Sequence, residues 1–296
     1  MKSILIGFWS PFHGQTCNTS NAVAIATRIA VTRTFKSLLM HNTINKSNME
    51  NAFFSDTSTD NDISSIFDES GIDATMKLAK TGHLNPVNFK NYTNILIQER
   101  LEILLGTARK DGAVKELMLE QIEYIINCAR DAYDFVFLDI NAGHGELSLK
   151  TLELVDMLII SLNQNMEVLS SYFLRKEWDP VLENKPHILV MSNYDDKSTF
   201  NIERIRKEFN YYGEMYPIPR NVRFMDFYNE HKILDYFTST STLNKKEAVN
   251  KEEFRFFNCL DEIIKRIIHV YNLDDMSTFN PLEQRTIFDK MFGIFR

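Results

Sequence analysis

Asp134-Phe135-Val136-Phe137-Leu138-Asp139-Ile140-Asn141-Ala142-Gly143 is the stretch that decides the fold. Residues 135–138 are apolar without interruption, and the run stops on the carboxylate of Asp139. A strand apolar on both faces is buried on both faces, as in parallel sheets covered by helices. The pattern recurs at residues 3–9, 37–41, 157–161 and 187–191, with shorter candidates at 101–105 and 214–218. Helical patterns lie between these runs, at 19–35, 71–80, 115–130, 201–209 and 251–271, with a short one starting over 88–91. In the 115–130 segment Leu117, Ile122, Ile125 and Ile126 share one side. Residues 42–66, rich in Asn, Ser, Thr and Asp, read as a loop with some helix. Strands alternating with helices predict an α/β fold: a three-layer, doubly wound, mostly parallel sheet with helices on both faces. Such folds bind ligands beyond the carboxyl ends of their strands, so the informative residues should follow the strands.

Composition narrows the class. A chain of 296 residues with 44% hydrophobic and 25% charged residues can bury a large core. The net charge of -7 gives no global basic field for nucleic acid. Cys17, Cys128 and Cys259 are odd in number and widely spaced, which suits a reducing cytoplasm and excludes zinc-site spacing. The opening MKSILIGFW is too short for a secretory leader and reads as a buried strand. No run of about 18 apolar residues could span a bilayer.

The first turn runs Ser10-Pro11-Phe12-His13-Gly14-Gln15-Thr16-Cys17-Asn18-Thr19-Ser20 and leads into a helix. Backbone N–H groups at a helix start favour an anion such as phosphate. A working phosphate loop adds a lysine for the phosphates and a hydroxyl for magnesium. Thr19 and Ser20 supply hydroxyls here, but the turn has no lysine. The same residues also suit a helix-capping turn without a ligand.

Together these segments resemble the ParA/MinD superfamily of deviant P-loop ATPases, over roughly residues 1–270. The resemblance sets His13 at the family's signature lysine, Asn18 at the usual loop lysine and Cys17 at a glycine. Gly14, Gln15, Thr16, Thr19 and Ser20 complete the degenerate loop. It implies that Thr19 and Asp139 hold Mg, and that Gly143 lets the backbone approach a γ-phosphate. It also implies that Asn193 meets an adenine base and that Pro219 lies in the loop wrapping the base. Each of these residues also has a reading as a turn or capping residue. His41 ends the second strand, where the family commonly has an acidic residue. ATP or ADP is the implied cofactor. Phosphoryl transfer rests on positioning and charge, so a loop without lysines implies a weak or inactive ATPase. Within the superfamily, a degenerate loop on a complete scaffold looks most like the TadZ/CpaE or MinD branches, which position pilus, secretion or division assemblies.

Residues 272–284 are polar, contain Pro281 and read as a linker after a domain over 1–271. In 285–296, Ile287, Phe288, Met291, Phe292 and Phe295 have helical spacing, flanked by Arg285, Lys290 and Arg296. Large apolar groups among cations describe an interfacial membrane helix. This tail resembles the membrane-targeting helix of the MinD branch, although a helix docked on protein has the same stripe. The expected protein is therefore a cytoplasmic positioning protein, peripheral at the membrane through its tail. The resemblance implies a homodimer that recruits partners of a localised assembly. A scaffold without nucleotide is the first alternative, and a DNA or plasmid partition ATPase ranks below it because the chain is acidic.

Overall fold

In a computed structural model the described residues are 2–44, 47–55, 70–107, 109, 112–174, 182, 185–241 and 251–273. The tail residues Ile287, Phe288, Lys290, Met291, Phe292 and Phe295 fall outside them, as does most of the expected linker.

Eight strands form one sheet in the order β3-β4-β2-β5-β1-β6-β7-β8. They are β1 (Ile4–Trp9), β2 (Ser37–His41), β3 (Asn94–Ile97), β4 (Leu101–Ile103), β5 (Phe135–Asp139), β6 (Met157–Leu162), β7 (His187–Tyr194) and β8 (Met215–Pro219). All neighbours are parallel except β3 and β4. The antiparallel β3 is absent from the sequence reading. It is a four-residue edge strand, Asn94–Ile97, whose apolar run is only three residues long and whose Ile95 is exposed. At the other edge, β8 carries Pro217 and Pro219.

Ten α-helices are found among the described residues: α1 (Asn18–Thr32), α2 (Gly71–Lys80), α3 (Pro86–Phe89), α4 (Gly112–Ala132), α5 (Glu146–Leu154), α6 (Met166–Phe173), α7 (Ile202–Phe209), α8 (Val222–Asn229), α9 (Ile233–Ser241) and α10 (Lys251–Val270). The expected 19–35 helix stops at Thr32, and Arg33 is already extended. The short helix expected to start at 88 begins at Pro86, capped by Asn85. Helices α5, α6, α8 and α9 are eight or nine residues long and were not anticipated.

Strand alternation sends side chains to two separate cores. Ile4, Ile6, Phe8, Phe135 and Phe137 pack with α1, α8, α9 and α10. Leu5, Trp9, Val136 and Leu138 pack with α2, α4, α5 and α6 on the opposite face. Gly7 has to be a glycine, because a Cβ there would come within 2.8 Å of both Ile140 Cδ1 and Val155 Cγ1. Arg28 makes a two-pronged bond from α1 to Asp261 of α10, at 2.8 and 2.7 Å. Leu273, inside the expected linker, is buried in the first core. Among the described residues no helix is long and apolar enough to cross a membrane.

Candidate functional site

The sheet register places the chemistry. Phe8 of β1 and His41 of β2 both pair with Asp139 of β5. The turn after β1, the end of β2 and Asp139 therefore meet at one carboxyl edge, where such folds place ligands.

The 10–20 turn is braced internally. Thr16 Oγ1 donates to Ser10 Oγ at 2.7 Å, and the Phe12 N–H donates to the same Ser10 oxygen at 3.2 Å. Asn163 donates to the Gln15 carbonyl at 2.9 Å. Gly14 sits at φ 71°. Cys17 is left-handed at φ 53° although it carries a side chain. That conformation costs an L-residue about 1–2 kcal/mol, so the loop geometry demands what glycine gives freely. His13, Gly14 and Gln15 are exposed, whereas Thr16 is buried.

Asp139 is the focus of the edge. Thr19 Oγ1 donates to its Oδ2 at 2.6 Å, and Asn18 Nδ2 donates to its Oδ1 at 2.7 Å. Burial pushes the carboxyl pKa up, while the two donors and the nearby His41 pull against that rise. Asn18 Oδ1 is buried without a hydrogen-bond partner. It is an unfilled hard oxygen of the kind a magnesium ion or a proton donor satisfies. With Thr19 Oγ1 and the Asp139 carboxylate it makes an all-oxygen set of the donor type magnesium takes.

His41 is buried and shares a short contact with Glu50, Nε2 to Oε1 at 2.7 Å. The Thr43 N–H donates to its Nδ1 at 3.2 Å, leaving Nε2 to donate to Glu50. Burial opposes a charged ring, but the Glu50 and Asp139 carboxylates outweigh it and raise the imidazole pKa. Glu50 is likewise disfavoured as an anion by burial, yet His41 and the Gly106 N–H, at 2.9 Å, draw its pKa down. Gly106 lies so close to the ring that a Cβ there would overlap His41.

The sequence pattern did not single out Glu50, Gly106, Tyr228, Asn42 or Trp9. Glu50 sits in the polar 42–66 stretch and enters the site through a 3-10 turn, Glu50–Ala52, whose Ala52 is buried. The Tyr228 hydroxyl donates to the Asn48 carbonyl at 2.8 Å and holds this segment against α8. Asn42 is fully buried: its Oδ1 accepts from the Asn141 N–H at 2.7 Å and its Nδ2 donates to Thr151 at 2.9 Å. The one signal for Asn42 was its place directly after a strand end.

Gly143, at φ 81°, does not have a free amide. Its N–H donates to the Ser10 carbonyl at 3.0 Å, and its carbonyl accepts from Trp9 Nε1 at 2.9 Å. On the β7 side, Asn193 is exposed and left-handed at φ 49°. Its Nδ2 donates to Cys17 Sγ at 3.0 Å, so its side chain reaches the phosphate-type loop. Pro219 ends β8 opposite Tyr194.

No model of a known protein family matches the sequence, and no curated protein does. Solved structures do match. A ParA family ATPase from Chlorobium tepidum TLS superposes with a TM-score of 0.63 at 14% identity, covering 79% of this chain and 91% of that one. The cell division ATPase MinD from Pyrococcus furiosus gives 0.62 at 15% identity, covering 90% and 99%. The septum site-determining protein MinD from Pyrococcus horikoshii OT3, complexed with Mg-ADP, gives 0.59 at 14% identity, covering 88% and 96%. These likenesses define the class of fold, that of the P-loop-type α/β ATPases. Within that class, the chain has the fold of the ParA/MinD superfamily.

Proposed function

We propose that this chain is a nucleotide-binding positioning or partition protein of the ParA/MinD type, holding ATP or ADP with magnesium at residues 13–20. The observation that carries the reading is the pairing of Thr19 and Asn18 with Asp139 at the N-terminus of α1. Thr19 would hold the metal, and Asp139, accepting its hydroxyl proton, would turn the oxygen lone pairs outward. Magnesium, when bound, neutralises phosphate charge. The backbone N–H groups at the start of α1 would take a phosphate. MinD from P. horikoshii, which shares the fold, is complexed with Mg-ADP.

Hydrolysis is slow or absent on this reading. Asn18 stands where the loop lysine is expected and spends its amide on Asp139, and His13 lies exposed at the loop edge. His41, which ends β2, is tied to Glu50 and is no carboxylate for orienting water. The wider role is that of a homodimer recruiting a localised pilus, secretion or division assembly, with residues 285–296 giving reversible attachment to a membrane surface. A scaffold that binds no nucleotide is the second reading, favoured by both Asp139 oxygens already being occupied.

Calorimetry of the full chain with Mg-ATP and Mg-ADP decides between them. Binding weakened about tenfold or more by Thr19→Val supports the nucleotide reading. Heat-silent titrations with both nucleotides reject it in favour of the scaffold. Separately, deleting 285–296 should abolish pelleting with anionic liposomes, and undiminished pelleting would refute the membrane role.

A further inference from the structure

A site that distinguishes a triphosphate from a diphosphate needs groups that the terminal phosphate can recruit. In P-loop proteins these are backbone N–H groups of a turn that is free to close on the γ-phosphate. Here the candidate turn is 140–145, immediately after Asp139, and within it the backbone groups of Asn141 and of Gly143, the residue expected to approach a γ-phosphate, are already engaged. The Asn141 N–H donates to Asn42 Oδ1 at 2.7 Å, and the Asn141 carbonyl accepts from Ser148 Oγ at 2.8 Å. The Gly143 N–H donates to the Ser10 carbonyl at 3.0 Å, and the Gly143 carbonyl accepts from the Trp9 indole at 2.9 Å.

The fastening residues are themselves held in the interior. Trp9, Ser10, Asn42 and Ser148 are all buried, and Asn42 is anchored a second time by Thr151. Moving Gly143 toward a ligand would break two hydrogen bonds and strand the Trp9 N–H inside the core. A stranded buried donor carries a desolvation cost comparable to what one new phosphate contact returns. Asn18 adds no compensating charge at the terminal phosphate.

Building on the nucleotide reading above, we infer that the site grips the inner phosphates and leaves the γ-phosphate unread, so that nucleoside di- and triphosphates bind alike. The protein is then a constitutive nucleotide-bound element, not a switch. Any change in its assembly comes from partner, concentration or surface, not from hydrolysis.

The test is calorimetry of the full chain with Mg-ADP and Mg-AMPPNP, repeated on Trp9→Phe, which keeps an aromatic ring but removes the indole donor. The expected result is two dissociation constants within about threefold in the wild type, and an AMPPNP preference of about fivefold or more in Trp9→Phe. A tenfold or greater AMPPNP preference in the wild type overturns the inference. Equal affinities in both proteins overturn the assignment of the effect to the Trp9 fastening. Absence of binding by either nucleotide overturns the nucleotide reading itself, a different failure from discrimination. Should Trp9→Phe unfold, exchange of the Gly143 amide hydrogen in the wild type replaces it. Equal protection with ADP and AMPPNP supports the inference, and a change specific to AMPPNP defeats it.

Discussion

The two ends of the candidate site are built differently. At the end where β1, β2 and β5 stop, Asp139, His41, Glu50, Asn42 and Gly143 spend polar groups on other parts of the chain. The other end, where β7 and β8 stop, is open, with Asn193 and Arg220 exposed. In a low-dielectric interior a paired polar group is costly to disturb, whereas an exposed one is nearly free to move. The difference teaches that the Asp139 end is tied into the folding unit, while the Asn193 end is free to adapt.

The most damaging way to probe that contrast is Gly106→Ala. The added methyl would overlap the His41 ring and force apart the contact between His41 and Glu50. Overpacking together with the lost pair should lower stability by about 2–4 kcal/mol, read by urea unfolding. A loss under about 1 kcal/mol would show that the Asp139 end yields easily.

Glu50→Gln sharpens the same point through pH. The folded pKa of His41 lies above its ordinary 6.5, so its contribution is complete below 6.5 and fades as pH rises through the folded value. The folded pKa of Glu50 lies below 4.5, so its contribution is complete above 4.5 and fades as pH falls through the lower folded value. The variant should therefore lose most stability near pH 5.5, about 1–2 kcal/mol, and progressively less toward about pH 9. A pH-independent difference would mean that the pair acts as a neutral hydrogen bond.

Asn193→Ala marks the small end of the scale. The side chain is exposed and gives up only its bond to Cys17 Sγ, so stability should change by less than about 0.5 kcal/mol. Nucleotide affinity measured on the same sample should fall by about three- to tenfold if the base reaches this residue. A larger loss of stability than of affinity would invert the comparison.

The sequence exposed what is local and left unseen what the topology joins. Buried parallel strands announce themselves as unbroken apolar runs, so β1, β2, β5, β6 and β7 were readable, and their carboxyl ends pointed to Asp139 and the 10–20 turn. Edge strand β3 was not readable, because its apolar run is only the three residues Ile95-Leu96-Ile97. Helices α5, α6, α8 and α9 give only about two turns of periodicity each, and of the helices that length only α7 was read. Glu50 looked like one more polar residue in a polar stretch. Its meaning appears only when β4 brings Gly106 beside His41 and α8 brings Tyr228 over Asn48. Likewise the commitment of Gly143 follows from the hydrogen bond of Trp9 across to the β5 turn, which a linear pattern cannot display.

The edge strand β8 has a consequence for how molecules of this kind can meet. The Glu214 carbonyl accepts the Leu189 N–H, so residues 214, 216 and 218 turn their amides and carbonyls toward β7 while 215, 217 and 219 turn theirs outward. Two of those three outward positions are proline and carry no amide hydrogen. An incoming chain finds only the Met215 amide to accept from along this margin, so lengthening of the sheet there into a ribbon shared between copies is disfavoured.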